Sequence, residues 1–388
     1  MPNKQQFVII LIILTIGIGC SKKASQQTVV NYKNLEWNKF SMGADLSFVN
    51  EIEDFGGQYK DSGVVKDPFT IFKNYGANTI RVRLWHNPSW NLALTNGRLY
   101  SDLADVEKTI RRAKDNGMAV NLNLHYSDNW ADPQKQEIPA AWQGLGFNVL
   151  KDSVYEYTLR VLNYFKSKNL TPEMIQIGNE NNFGMLWPLG KVVNNDYAAF
   201  AELLKSGIKA VRDFSALSTI KPQIIIHEAQ LQTALAWADG LIAKNGVTDF
   251  DIIGLSHYSK WSTVNKMDSI TYIISQLKKT YNKKIIVVEA AYPWTIENAD
   301  NYNNFIGPEA AVQGYPISKE GQLKYMIDLT QAVIDGGGSG IQYWEPAWIT
   351  SSLKDQWGTG SAFENCTLFD FSGNTLPALS FMKYNYRF

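Results

Sequence analysis

The sequence predicts an α/β protein built as a single (β/α)8 TIM barrel. Eight short apolar runs rich in β-branched residues alternate with longer stretches of helical periodicity, which is typical of βα units around a parallel sheet. No long linker or shift in composition divides the 388 residues, so we expect one domain. An open, doubly wound sheet would normally carry a Gly-rich phosphate loop after an early strand, and the sequence has none there.

The predicted strands are the eight apolar runs in chain order. They are FSMGADLS from Phe40, TIRVRLW from Thr79, MAVNLNLHY from Met118, MIQIGNE from Met174, QIIIHEA from Gln223, DIIGLSHY from Asp251, KIIVVEAAY from Lys284 and GIQYWEP from Gly340.

Helices are predicted between these runs. Asp102 is placed to cap a helix that Gly117 ends before the third strand. The apolar face of this helix consists of Leu103, Val106, Ile110 and Ala113. The same periodicity predicts helices over 149–168, 197–214 and 322–335.

The N-terminal segment has the pattern of an export signal. Its apolar stretch, 7–18, is too short for a stable membrane span and fits a secretory core region. Gly19 and Cys20 resemble the lipobox of bacterial lipoproteins, in which the Cys is lipidated. We therefore predict a lipoprotein-type signal peptide over 1–19, a lipidated Cys20 with a flexible tether over 20–35, and the barrel domain over 36–388.

This N-terminus predicts where the protein acts. We expect an exported protein, lipid-anchored at the outer membrane or cell surface and otherwise periplasmic or secreted. Cys366 is the only other cysteine, so a disulfide framework is not expected.

Charge and aromatic content favour a neutral partner. Lys plus Arg equals Asp plus Glu at 37 each, so no net field would recruit nucleic acid or a polyanion. The 12 Trp residues exceed what core packing normally requires, and flat rings commonly stack on sugar faces. For any single Trp, burial in the core is the alternative.

Two glutamates carry the catalytic hypothesis. Glu180 and Glu289 each follow a run apolar enough to be buried, on the predicted fourth and seventh strands, whose C-terminal ends face the same barrel mouth. Retaining glycosidases need two carboxyl groups about 5–5.5 Å apart. We predict Glu180 as the general acid/base and Glu289 as the nucleophile, kept ionised by hydrogen bonds from groups such as Arg83 and Tyr258.

Longer strings around these residues resemble one family. They are GADLSFVNEIE from Gly43, RVRLWHNP from Arg81, LHYSDNWADPQKQ from Leu124, QIGNENNFGMLWPLG from Gln176, IIGLSHYSKW from Ile252, VVEAAYPWT from Val287, QYWEPAW from Gln342 and LFDFSGNTLPAL from Leu368. Together they are similar to glycoside hydrolase family 53, the endo-β-1,4-galactanases. The resemblance implies hydrolysis of internal bonds in galactan or type I arabinogalactan by double displacement, with no cofactor required for catalysis.

The resemblance also implies a substrate cleft. Asp128, Asn129 and Trp130 would lie in it, next to Asn179 of the Asn-Glu pair. The candidate stacking platforms are Trp85, Trp344 and Trp348, with packing at the barrel rim as the alternative for each. From spacing alone, His125 and His257 are predicted as hydrogen-bonding residues of the pocket, because no third ligand at zinc spacing accompanies them.

Bacterial members of the family often carry a calcium ion in the loop after the seventh strand. The matching segment is ENADNYNNF from Glu297, with Tyr302 where His is often found. Asn298, Asp300 and Asn304 would supply hard oxygen ligands, and Asp370 would close the site. The alternative is a solvated Asn-rich loop without an ion. Another departure is Ser361, which replaces an expected aromatic residue.

Two other functions stay open at this point. A mannanase or cellulase of the same clan would share the fold and the catalytic pair. A surface glycan-binding lipoprotein without catalysis is the rival from another class, although a pure binder has no need to bury two carboxylates. In every case we expect a monomer whose membrane contact is limited to the lipid anchor.

Overall fold

Eight parallel strands close into a barrel in the computed structural model, which describes residues 36–388. In chain order they are β1 (Ser41–Asp45), β2 (Thr79–Leu84), β3 (Ala119–Leu124), β4 (Met174–Ile177), β5 (Gln223–Glu228), β6 (Ile252–Tyr258), β7 (Lys284–Ala291) and β8 (Gly340–Tyr343). Each strand pairs with its neighbours in the chain, and β1 pairs with β8 to close the barrel. The predicted (β/α)8 barrel and its eight strands are confirmed. The signal peptide, Cys20 and the tether lie outside the described residues.

Helices cover the outer surface of the barrel. They are α1 (Val49–Asp54), α2 (Pro68–Asn74), α3 (Leu103–Asp115), α4 (Phe147–Ser167), α5 (Ala198–Ala216), α6 (Ala234–Ala238), α7 (Met267–Tyr281) and α8 (Lys319–Asp335). After β8 a 3-10 segment, Pro377–Lys383, packs against α8. Within 36–388, no helix is both long enough and apolar enough to cross a membrane.

The helix ends follow the local sequence. Asp102 caps α3 by accepting a hydrogen bond from the Asp105 N–H at 3.0 Å, and Gly117 follows the helix with a φ of 67°, where a side chain would be strained. The helices predicted over 149–168, 197–214 and 322–335 correspond to α4, α5 and α8, with ends that differ by at most three residues. Helix ends are defined only to about this precision.

The barrel interior changes character along its axis. Toward the N-terminal ends of the strands, a small apolar cluster fills the interior. It consists of Met174, Ile225, Ile252, Ile286 and Val288. Nearer the C-terminal ends of the strands the interior is polar: the Asn121 amide donates to Gln342 at 2.9 Å, and the Gln176 amide donates to Asn123 at 2.8 Å. Side chains two positions apart on a strand share a face, so the same strands supply both layers.

One irregularity in β7 affects which side chains face inward. Leu255 of β6 pairs with Val287, but Ser256 pairs with Glu289, so Val288 is an extra residue on β7. A bulge of this kind re-aims the side chains that follow it. Val288 belongs to the interior cluster and Glu289 also faces the interior, where it contacts Arg81.

Candidate active site

Glu180 and Glu289 meet at the C-terminal mouth of the barrel. Glu180 follows β4 after Gly178, and its own φ of 46° lies in the left-handed region that non-glycine residues rarely adopt. A carboxylate oxygen of each glutamate and a ring nitrogen of His227 all lie within 4.8 Å of one another. The structure therefore brings together the two carboxyl groups that the sequence placed on separate strands.

Glu289 accepts strong hydrogen bonds on both oxygens. The Arg81 guanidinium lies 2.8 Å from Oε1, and the Tyr258 hydroxyl donates to Oε2 at 2.8 Å. Arg81 is buried and also pairs with Asp45 at 2.7 Å. Burial raises the pKa of Glu289. The Arg81 charge and the Tyr258 hydrogen bond lower it and so offset part of this rise.

Glu180 has no cationic partner of this kind. The Ser256 hydroxyl donates to its Oε1 at 2.8 Å, and its backbone N–H donates to Nδ1 of His227 at 3.1 Å. Burial, and then the nearby charge of Glu289, raises the pKa of Glu180 well above its usual range. Of the two carboxyl groups, Glu180 has the pKa that is raised further, so it is the better placed to hold a proton.

Asn179 lies in the polar network behind the carboxylates. Its Oδ1 accepts hydrogen bonds from Arg81 at 2.8 Å and from Asn123 at 2.9 Å, and its amide donates to the Ala131 carbonyl at 2.8 Å. Asn179 also lines the cavity above the site. The same network thus fixes Asn179 and the arginine that pairs with Glu289.

A cavity of about 630 Å³ opens above the two carboxylates. Among the predicted substrate residues, those that line it are Arg83, His125, Trp130, Asn179, Tyr258, Trp344 and Trp348. Trp261 and Trp357 also line it and are 46% and 60% exposed, so their rings are open to solvent. Neither residue is among the predicted cleft residues. Their position in the loops after β6 and β8, which belong to the functional face of such a barrel, is the feature of the sequence that would have indicated them.

Arg83 does not pair with Glu289, and that prediction is wrong. Its guanidinium forms a buried salt bridge with Glu345 at 2.6 Å. It also lies over the rings of Phe48 at 4.0 Å and Trp130 at 4.4 Å. Arg83 therefore supports the aromatic wall of the cavity, whereas Arg81, two residues earlier on β2, contacts the carboxylate.

His257 is also not a pocket residue. Side chains alternate along a strand, so His257 points away from the barrel interior between Ser256 and Tyr258, which line the cavity. Its Nε2 lies 2.9 Å from the Tyr325 hydroxyl of α8. His125 does face the cavity, and burial lowers its pKa well below the usual range, so the ring is neutral.

Trp85 is not an open stacking platform, because it is buried beneath the cavity wall. Only 3% of it is exposed, and Trp130 packs against it at a ring distance of 5.2 Å.

Asp128 and Asn129 do not line this cavity, although Asp128 lines a second cavity next to Trp187. Asp128 accepts hydrogen bonds from the N–H groups of Asn87 and Ala140, at 2.9 and 2.8 Å, and Asn129 accepts one from the Trp130 N–H at 2.7 Å. Both side chains shape the loop that carries Trp130 into the cavity.

The loop after β7 satisfies Asp300 with protein donors. The N–H groups of Tyr302 and Ser361 donate to its two oxygens at 2.7 and 2.9 Å, and the Thr350 hydroxyl donates to one of them. Tyr302, which stands where His is often found, donates its hydroxyl to Asp355 at 2.8 Å. Hydrogen bonds therefore join this loop to the segment that follows β8.

The other predicted calcium ligands also have protein partners. Oδ1 of Asn298 accepts a hydrogen bond from the Asn304 amide at 2.6 Å. The carboxylate of Asp370 accepts from the N–H groups of Ser372 and Asn374, both at 2.9 Å, within its own turn. Hydrogen bonds within the protein therefore hold each of the four predicted ligands.

The chain is similar to known proteins over most of its length. Residues 41–382 match the model of glycosyl hydrolase family 53. The arabinogalactan endo-beta-1,4-galactanase of Cellvibrio japonicus (strain Ueda107) is 42% identical over 353 residues, which cover 90% of this chain and 92% of that protein.

Two solved structures share both the fold and the sequence pattern. The family 53 catalytic domain of Ignisphaera aggregans superposes with a TM-score of 0.81 at 36% identity, covering 92% of this chain and 98% of that one. A structure from work on two fungal beta-1,4-galactanases gives 0.74 at 31% identity, covering 89% and 99%. The resemblance in the sequence is confirmed, and this chain belongs to glycosyl hydrolase family 53.

Proposed function

We propose that this protein is an endo-β-1,4-galactanase that hydrolyses internal bonds of galactan or type I arabinogalactan with net retention. The observation that carries the proposal is the carboxylate pair, with oxygens within 4.8 Å and with different hydrogen-bond partners. Retaining enzymes hold their two carboxyl groups about 5–5.5 Å apart, whereas inverting enzymes leave room for a water molecule. The galactanase names of the relatives support the choice of substrate.

Each carboxyl group has one role in the first step. Protonated Glu180 gives its proton to the glycosidic oxygen while ionised Glu289 attacks the anomeric carbon, so the sugar–oxygen bond breaks as a sugar–Glu289 ester forms. In the second step Glu180, now a carboxylate, takes a proton from water. The resulting hydroxide attacks the same carbon and releases Glu289.

The remaining cavity residues bind the polysaccharide. Trp130 and Trp344 offer ring surface for stacking on sugar faces, with Arg83 beneath the first of them, whereas Trp348 is only 3% exposed and forms part of the cavity wall. His125, as a neutral ring, and Asn179 offer hydrogen-bonding groups to sugar hydroxyls. These residues set the position of the chain relative to the carboxylates.

The direct test is reducing-sugar release by residues 21–388 from linear β-1,4-galactan, mannan and β-1,4-glucan. We expect activity on galactan alone, with a β-configured product seen first by proton NMR. Activity on mannan or glucan instead would keep the mechanism and replace the substrate, as for a mannanase or cellulase of the same clan. Inactivity on all three would favour a glycan-binding lipoprotein.

We also propose that the protein is exported and held at the outer membrane or cell surface by a lipid on Cys20. The support is the sequence pattern around Cys20. Cell fractionation tests it: we expect the native chain in the detergent-soluble membrane fraction and the Cys20→Ala variant outside it. A native chain found only in soluble fractions would instead indicate a periplasmic or secreted enzyme. We expect a monomer, which light scattering would measure.

We further propose that the loop after β7 is held by hydrogen bonds and needs no calcium ion. The protein donors around Asp300 support this. Burial, and then Asp300, raise the pKa of the neighbouring Glu364 to about 7, so its carboxyl group is only partly ionised at neutral pH. We expect EDTA to leave the melting temperature unchanged. A fall that added Ca²⁺ reverses would show that an ion binds this loop.

A further inference from the structure

We propose that His227 and Ser256 form a positioning pair that determines which oxygen of Glu180 carries the catalytic proton. The proposal rests on the acid/base role of Glu180 given above and adds two residues to it. Within the described residues, neither side chain forms a hydrogen bond with Glu289, the predicted nucleophile. Both act through Glu180.

Ser256 faces the active site by regular alternation along β6, on the same face of the strand as Tyr258. It lies at the point where the register shifts, it lines the cavity and it is 1% exposed. Its hydroxyl donates to Oε1 of Glu180 at 2.8 Å. A serine hydroxyl has a single proton, so this donation leaves Oγ only as an acceptor toward any other neighbour.

His227 fixes the direction of that hydroxyl. Its Nδ1 receives the backbone N–H of Glu180 at 3.1 Å and the side-chain amide of Gln176 at 3.0 Å. Oδ1 of Asn179 also lies 3.2 Å from Nδ1, but it already accepts hydrogen bonds from Arg81 and Asn123. Two donors aimed at Nδ1 require it to be the unprotonated nitrogen, so Nε2 carries the hydrogen. Nε2 lies 3.0 Å from Oγ of Ser256 and therefore donates to it.

The ring stays in this one tautomer because it stays neutral. His227 is fully buried, and burial, followed by the charge of Arg81, lowers its pKa well below the usual range. A neutral imidazole that accepts at Nδ1 has only the Nε2–H to offer. The hydrogen bonds therefore run in one direction, from His227 to Ser256 to Glu180.

This direction has a consequence for the acid. Because Oε1 of Glu180 receives the Ser256 proton, the catalytic proton lies on Oε2, for which no residue in 36–388 provides a hydrogen-bond partner. After the proton has left, the same Ser256 hydrogen bond stabilises the carboxylate that must act as the base in the second step. The Glu180 N–H to His227 bond also holds the left-handed backbone of Glu180, a conformation that non-glycine residues rarely adopt without such support.

The test is the pH dependence of kcat/KM on galactan for Ser256→Ala. The Ser256 hydrogen bond lowers the pKa of Glu180, so its removal raises that pKa and moves the basic limb of the profile to higher pH. We expect a loss of about tenfold at the optimum, a part of the ~10²–10⁴-fold that a positioned acid contributes. Ser256→Thr keeps the hydroxyl and is expected to keep the wild-type limb.

Ser259→Ala is the matched control. Ser259 is buried at the end of the same strand, but its hydroxyl donates to the Ala310 carbonyl at 2.6 Å, away from Glu180. A merely structural effect of losing a buried serine hydroxyl would appear in both variants as a lower melting temperature with an unchanged limb. Ser256→Cys keeps the shape of the side chain but has only a weak hydrogen-bond donor. Its pH profile provides a second measurement of the basic limb if Ser256→Ala is poorly folded.

An unchanged basic limb in both Ser256→Ala and Ser256→Cys would overturn the proposal, as would a shift that Ser256→Thr does not prevent. Failure of the proposed function has a different result. Full activity of Glu180→Gln on galactan would remove the acid role itself, whatever the Ser256 variants do.

Discussion

The two carboxyl groups at the barrel mouth share burial but differ in their partners. Glu289 is held on both oxygens, by the Arg81 guanidinium and by the Tyr258 hydroxyl, whereas Glu180 receives the single hydroxyl of Ser256. Desolvation raises the pKa of both; the Arg81 charge is the main influence that opposes the rise at Glu289, whereas at Glu180 the charge of Glu289 adds to the rise. The difference teaches that identical residues take opposite proton-transfer roles because of their neighbours.

Removing the carboxylate of Glu289 is expected to have the largest effect on activity of the changes to this pair. We expect Glu289→Ala to lower kcat on galactan by on the order of 10⁴-fold or more, because the nucleophile has no substitute. Circular dichroism and the melting temperature would show that the variant is folded. Hydrolysis near the wild-type rate by a folded variant would show that Glu289 is not the nucleophile.

Glu180→Ala removes the other member of the pair. On galactan we expect a loss of ~10²–10⁴-fold, the usual contribution of a general acid. An aryl β-galactoside with a good leaving group needs little protonation, so we expect a much smaller loss in its first step, measured as a burst of phenolate. Equal losses on both substrates would contradict the acid role.

Arg81→Lys weakens the feature that makes Glu289 different. A lysine ammonium keeps the charge but lacks the planar fork that here contacts Glu289 and Asp45 together. Because Arg81 lowers the pKa of Glu289, we expect the acidic limb of kcat/KM to move to higher pH and the rate to fall by roughly a hundredfold.

The matched control for that variant is Arg212→Lys. Arg212 also contacts two carboxylates, Asp249 and Asp251, but on the outside of the barrel. We expect a change in melting temperature and no change in the pH profile. A shifted acidic limb in this control would indicate a general structural effect rather than the loss of one pairing.

Tyr258→Phe is the smallest change to the pair. It removes one hydrogen bond that lowers the pKa of Glu289, so the acidic limb moves slightly upward and kcat/KM falls about tenfold, as for one charge-assisted hydrogen bond. Tyr325→Phe is its control, because that hydroxyl bonds His257 behind the sheet. Identical profiles for the two variants would mean that Tyr258 does not tune the nucleophile.

The sequence predicted the barrel and the catalytic pair because both depend on local pattern. A run such as KIIVV followed by Glu indicates a buried strand that ends in a carboxylate, and chain order then decides which strands are neighbours.

The hydrogen-bond partners of the two carboxylates depend on how far along the barrel axis each side chain lies and on which face of its strand it points from. The sequence pattern contains neither. Arg81 and Arg83 lie on the same face of β2, about 6.6 Å apart along the strand at ~3.3 Å per residue, and nothing in the run indicates which one is level with Glu289. The predicted pocket role of His257 does not take into account that successive side chains on a strand point to opposite faces. Ser256, its neighbour, was overlooked because a lone serine in an apolar strand carries no signal of its own.

The extra residue in β7 sets the facing of the carboxylate that follows it. If Val288 were an ordinary member of the ladder, paired with Ser256, regular alternation would turn that carboxylate toward the helices, where Ala290 now lies, with every catalytic side chain still present in the sequence. Transplanting the same strand sequence onto an ideal barrel would fail in this way unless the irregular pairing were copied too. A valine that does no chemistry thus decides on which side of the sheet the chemistry takes place.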